Sequence, residues 1–136
     1  MPAVDVCQPQ IIRALEKDGW RVYLRNAHFY NDGDSIYIDL GIEKSQPSDE
    51  NQRIFIEIKC FSEKRTLSEL YLALGQVAYY RAFLDDLNDH SAIYLAVSYE
   101  IYLTQLNRVF ENALKQSHVG LLVIDIVNEE IVEWIK

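Results

Sequence analysis

The sequence predicts one α/β domain spanning residues 1–136, a mixed central β-sheet flanked by helices, and three observations predict it. Hydrophobic residues make up 49% of the 136, enough for one sizeable core at the length of a single domain. A run at helical spacing over residues 67–87 is longer than any one strand would be. Around it lie short runs rich in β-branched and aromatic residues, each of strand length.

Residues 5–18 read as the first helix: Ile11, Ile12 and Leu15 recur at helical spacing, Pro9 marks the first turn and Gly19 stands where a helix commonly stops. Residues 20–25 alternate apolar and polar side chains around Val22 and Tyr23, which suits a short strand, and residues 28–33 follow as a polar loop. Residues 35–43 and 53–61 form the most legible hairpin, joined by a turn-forming stretch over 45–51 that contains Pro47. Side chains alternate across a strand, so Ile36, Ile38 and Leu40 are expected on one face with Tyr37 and Asp39 on the other. By the same rule Ile54, Ile56 and Ile58 oppose Phe55, Glu57 and Lys59. Leu70, Leu74, Val77, Ala78 and Leu84 mark the long helix over 67–87. Residues 91–97 suit a strand, 99–116 a helix and 119–127 a buried strand, and a turn at Asn128 and Glu129 leads into a last strand over 131–135.

Composition narrows the function classes. The longest apolar runs, such as Leu121-Leu122-Val123-Ile124, fall far short of the roughly 20 residues a membrane span needs. The start of the chain lacks the basic segment and apolar run of an export signal, so a cytoplasmic location is expected. Two cysteines, Cys7 and Cys60, lie too far apart in sequence to suggest a disulfide scaffold or a closed zinc site, and reduced thiols are the expectation. A net charge of -8 opposes long-range attraction to phosphate, which argues against avid DNA binding by the chain alone. A bound metal ion or a local basic patch can still reverse the field at one face.

The residues that could carry chemistry are Asp39 on one strand and Glu57-Ile58-Lys59 on the next. Two carboxylates offer the hard oxygen ligands that Mg2+ or Mn2+ takes, with positions left for water and phosphate. A lysine beside them can stabilise charge developing on phosphorus or help orient an attacking water. The bland alternative is a solvated Glu57–Lys59 pair on the outer face of a hairpin, of little net energy. The triplet stands between Ile54-Phe55-Ile56 and Cys60-Phe61, in a strand apolar enough to be central, where charge needs a reason. Gln76 and Tyr80, four apart on a helix, share one face and could point jointly at the hairpin. Pattern alone favours a solvated amide on the helix surface for Gln76 and core packing for Tyr80. His28, His90 and His118 are scattered without ligand spacing, no glycine cluster forms a phosphate-cradling loop, and no nucleophile motif is present.

Helix, strand with Asp39, Glu57-x-Lys59 and a helix with Gln76 and Tyr80 resemble the PD-(D/E)XK superfamily with its restriction-endonuclease-like core. A closer resemblance is to the XisH family, the fdxN element excision controlling factor proteins of cyanobacteria. It rests on Lys17-Asp18-Gly19-Trp20, Ile38-Asp39-Leu40-Gly41-Ile42-Glu43, Glu57-Ile58-Lys59, Ala73-Leu74-Gly75-Gln76 with Tyr80-Arg81, Tyr94-Leu95-Ala96-Val97 and Ile131-Val132-Glu133-Trp134-Ile135, and covers essentially the whole chain. Gln8, Cys60 and Ser98 depart from the family pattern, in which histidine, serine and proline are usual, so no site role for the first helix carries over. The resemblance implies participation in DNA element excision beside a site-specific recombinase complex and an XisI-like partner, with DNA approached as part of that complex. It implies a nuclease-like site of Asp39, Glu57, Lys59 and Gln76, with Mg2+ or Mn2+ on Asp39 and Glu57. Two readings stay open: an active metal-dependent DNA endonuclease, or a non-catalytic protein-interaction subunit working with the XisI-like protein.

Overall fold

The computed structural model describes residues 6–45, 52–61 and 66–136. The predicted start of the first helix at Asp5 and most of the predicted turn around Pro47 lie outside them. The elements are α1 (Gln8–Lys17), β1 (Arg21–Asn31), β2 (Asp34–Lys44), β3 (Gln52–Ile58), α2 (Thr66–Asp86), β4 (Ala92–Ser98), α3 (Tyr99–Thr104), α4 (Arg108–Gln116), β5 (Gly120–Asp125) and β6 (Glu130–Ile135). One six-stranded sheet runs in the order β1-β2-β3-β4-β5-β6. β3, β4 and β5 are parallel, while β1, β2 and β6 join by antiparallel pairing, so the sheet is mixed as predicted. No helix among the described residues is long and apolar enough to cross a membrane.

Two apolar layers cover the sheet. On one face Ile93, Leu95, Val97, Leu121 and Val123 pack with the inner sides of α2 and α4. On the other, Tyr94, Ala96, Leu122 and Ile124 pack with Ile11, Ile12, Leu15 and Trp20 of the α1 segment. The alternation that period-two strands impose therefore holds through β4 and β5. It holds in β3 as well, where Ile54, Ile56 and Ile58 all join the α1 side and Phe55 joins the α2 side. Gly19, at φ +89, turns the chain out of α1, and Trp20 N–H returns to Leu15 O at 3.0 Å.

β2 breaks the alternation. Ile36 and Ile38 belong to the α2-side layer, whereas Leu40 and Ile42, of the same parity, belong to the α1-side layer. The predicted common face of Ile36, Ile38 and Leu40 is thus corrected: the strand exchanges its faces at Asp39. Asn26 lies across β1 from that point, between the pairs Arg25↔Leu40 and Ala27↔Ile38, with φ +48. A residue in the left-handed region interrupts the regular pleat, which allows the change of face.

Three further expectations change. Residues 28–31 are not loop but the second half of β1. His28 stacks on Tyr37 with centroids 4.2 Å apart, and Phe29 meets Phe55 edge-on at 5.5 Å, so aromatic pairs override the polar composition. Only Asp32 (φ +51) and Gly33 (φ +82) remain as a two-residue turn of the Asp-Gly kind. The helix predicted over 99–116 is two, because Asn107 Oδ1 accepts the Phe110 N–H at 2.8 Å and starts α4 afresh. Cys7 and Cys60 are not separate thiols but a disulfide, with Cα atoms 6.1 Å apart. Docking α1 on the sheet brings the residue before the helix to the end of β3, a proximity that a sequence separation of 53 conceals.

Gly120 opens β5 opposite Tyr94, and a Cβ there would lie 2.5 Å from the Tyr94 ring and 3.0 Å from Ile135 O. Gly120→Ala is expected to destabilise the fold by about 1–3 kcal/mol through overpacking. Urea denaturation reads this directly; an unchanged midpoint would show that the Tyr94 ring does not occupy that space.

Candidate functional site

The site is built where β2 and β3 part. Their ladder runs from Lys44↔Gln52 to Leu40↔Ile56, and β3 continues to Ile58 against β4. A backbone N–H left at such a fork needs an acceptor. The Asp39 carboxylate supplies it, taking the Ile58 N–H on Oδ2 at 2.7 Å. In the reciprocal direction the Asp39 N–H donates to Glu57 Oε1 at 3.3 Å. Each acid thus engages the other's strand. Lys59 Nζ stands 3.8 Å from Glu57 Oε2, and the Lys59 N–H donates to Ala96 O at 3.1 Å, which extends the β3–β4 ladder by one bond.

Burial decides the electrostatics. Glu57 is 4% exposed, on the α2 side with Phe55. Loss of water pushes its carboxyl from the ordinary 4.5 up to about 9; the Asp39 charge adds to the rise and Lys59 opposes it. At neutral pH Glu57 is therefore driven toward its protonated form.

α2 closes this side. Gln76 Nε2 donates to Tyr80 Oη at 2.7 Å, and Tyr80 is buried. Burial and the nearby Glu57 and Asp39 charges push the Tyr80 phenol up to about 12, so it remains a proton donor. A cavity of about 460 Å3 opens here, lined by Lys59, Tyr71, Gly75, Gln76, Tyr79 and Tyr80. Another, of about 420 Å3, lies at the opposite end of the parallel strands near Ala92 and Gly120 and shares none of these residues.

All four predicted site residues, Asp39, Glu57, Lys59 and Gln76, gather at one end of β3, and Tyr80 joins them rather than serving only as packing. The solvated-pair alternative fails for Glu57, which is buried. Among the described residues no group of three or more His, Cys, Asp or Glu side chains gathers as a metal cage. The Asp39 and Glu57 carboxyls instead form a sparse, hard donor set, with the Gln76 amide on the α2 side of the same cluster. Among the described residues Gln76 Oε1 is buried without a hydrogen-bond partner. That set fits Mg2+ or Mn2+, which keep several waters.

The histidines stay outside: His28 stacks on Tyr37 and His90 meets Asp85. Arg81 is buried for structure, donating to Ser91 O and Asp89 O at 2.7 Å each and so holding the connection from α2 to β4. Gln8, absent from the predicted site, is buried with Oε1 unpartnered and lines a cavity of about 400 Å3 with Pro9, Arg13, Arg25 and Asn26. Its one sequence signal is a polar residue ahead of the apolar stripe of α1.

Comparison with known proteins gives the relatives of the chain. A family model described as XisH protein matches residues 1–132. The structure of an XisH family protein from Nostoc punctiforme PCC 73102 is similar at 30% identity and TM-score 0.82, over 97% of this chain and all of that one. That of an fdxN element excision controlling factor protein from Anabaena variabilis is similar at 29% identity and TM-score 0.84, over 98% of this chain and all of that one. No curated protein matches the chain significantly.

The raised Glu57 pKa fixes a pH dependence. Between 4.5 and about 9 the folded protein binds a proton that the unfolded chain has released, so this group's contribution to stability is present below 4.5 and is lost as pH rises through that window. Glu57→Gln is expected to flatten the fall in melting temperature between pH 5 and 9 and to be about 1–3 kcal/mol more stable than the parent at pH 8. Parallel pH profiles for parent and variant would place Glu57 in water.

Proposed function

The chain belongs to the XisH family, and from that membership we propose that it is an fdxN element excision controlling factor whose β2–β3 fork acts on DNA as a nuclease-like, cation-dependent site. The observation that carries this reading is the contact of Asp39 and Glu57 beside Lys59, with Glu57 buried and Gln76 Oε1 unpartnered. Asp39 and Glu57 would hold Mg2+ or Mn2+. When bound, such an ion polarises a phosphoryl oxygen and lowers the pKa of a coordinated water.

This chain's own residues do the rest. Asp39, fixed by the Ile58 N–H, presents its remaining oxygen in one orientation. Lys59 places an ammonium beside the phosphate position, where it stabilises charge or holds the attacking water. Gln76 orients water through Oε1 while its amide is held on Tyr80. The PD-(D/E)XK resemblance supports these roles by analogy of arrangement.

A second reading is favoured by charge. At -8 the chain has little long-range pull on DNA, and α2 leaves Tyr71, Leu72 and Tyr79 at least half exposed beside the site. An accessory subunit would dock that face on an XisI-like protein and reach DNA within the recombinase complex.

Plasmid and branched DNA with Mg2+ or Mn2+ separate the two. The nuclease reading expects cleavage that falls at least about 100-fold in Asp39→Ala and Lys59→Ala. Equal cleavage by parent and variants would be contamination and would defeat it. Co-purification with an XisI-like protein in the absence of metal-dependent cleavage would establish the accessory reading instead.

A further inference from the structure

We propose that Cys7 and Cys60 form a reversible thiol–disulfide site that takes a low-molecular-weight disulfide as co-reactant and, when oxidised, pins the backbone at Lys59. Cys60 directly follows Lys59, and its partner Cys7 directly precedes α1. Their Cα atoms lie 6.1 Å apart, within the span a disulfide bridges without backbone movement. Both residues are half-buried, so a small disulfide or dithiol can reach them. Cys60 also lines a cavity of about 180 Å3 with Lys59, Phe61, Leu72 and Ala73, which gives such a molecule an entry beside the site.

The surroundings favour exchange at Cys60. The Cys7 N–H donates to Cys60 Sγ at 3.2 Å, at the N-terminal end of α1. The attacking form in such exchange is the thiolate. The Cys60 thiolate attacks one sulfur of the co-reactant RSSR, forming a mixed disulfide and releasing RS−. The Cys7 thiolate then displaces the second RS− and closes the bond. In sum, two protein thiols and RSSR give the Cys7–Cys60 disulfide and two RSH; the pair is oxidised and the co-reactant reduced. A dithiol reverses it.

The bond is not what docks α1. Ile11, Ile12, Ala14 and Leu15 bury that helix against the sheet, and Arg13 and Lys17 tie it to Glu129 and Asn128 O. Opening the disulfide leaves these contacts in place and acts locally. The Lys59 N–H bond to Ala96 O is the final rung before the chain leaves the sheet, and the disulfide holds the chain one residue beyond it. Oxidation therefore suppresses fraying of the rung that sets the height of Lys59.

The test treats the full chain with oxidised glutathione or with dithiothreitol, then reads both thiols by maleimide mass tagging and the Lys59 amide by hydrogen exchange. After oxidised glutathione neither thiol is expected to label and the amide to exchange about tenfold more slowly than in the reduced protein. Cys60→Ser, a near-isosteric change, should show the reduced rate under both treatments, with an unchanged circular dichroism spectrum. Labelling of both thiols after oxidised glutathione, or equal exchange rates in the two states, overturns the proposal. The readouts are thiols and amides, so the outcome does not depend on whether the fork takes a cation.

Discussion

The structure turns on one substitution of partners: where β2 leaves β3, the side chain of Asp39 replaces a backbone carbonyl as acceptor for the Ile58 N–H. Everything nearby is set by that bond. It lets the strands diverge without orphaning a buried amide. It aims Asp39 at Glu57, which strand parity with Phe55 puts on the side that α2 covers. The cost is two acids close together with little water, which the fold meets by favouring the protonated form of Glu57 and standing Lys59 3.8 Å away. A purely structural fork has no need of a second buried acid, since an uncharged side chain at Glu57 would accept the same amide bond without the desolvation penalty.

Much of this was legible in the residues. Acid-x-lysine in a strand as apolar as Ile54 to Phe61 put Glu57 and Lys59 beside Asp39, because strand parity is a local rule. The long helix, the mixed sheet and the order of elements follow from periodicity in the same way. What escaped was non-local. The exchange of faces at Asp39 depends on Asn26 across β1, and no periodicity within β2 contains it. The second half of β1 is held by His28 on Tyr37 and Phe29 on Phe55, pairs visible only once the register is known. Asp32-Gly33 did carry a local hairpin signal, which the polar residues around it masked. The disulfide could not be read from spacing, because docking of α1 closes it.

Family and chemistry fit together through charge. Membership in the XisH family gives a setting in DNA excision, while a net charge of -8 makes unaided approach to DNA unfavourable. A cation at the fork would reverse the sign of the field where the proposed reaction would seat a phosphate. The exposed apolar side chains of α2 border the same cavity, so a protein partner seated there would also shape access to Lys59 and Gln76. Assembly and chemistry would then share one edge of the molecule.

The proposed site at the fork would exchange the Glu57 proton for a divalent ion. Calorimetric titration of Mn2+ into the protein at pH 7.5, in two buffers of different ionisation enthalpy, measures both events at once. Saturable binding with about one proton released per ion is expected, with that release lost in Glu57→Gln. Binding without proton release, or none at all, would contradict it.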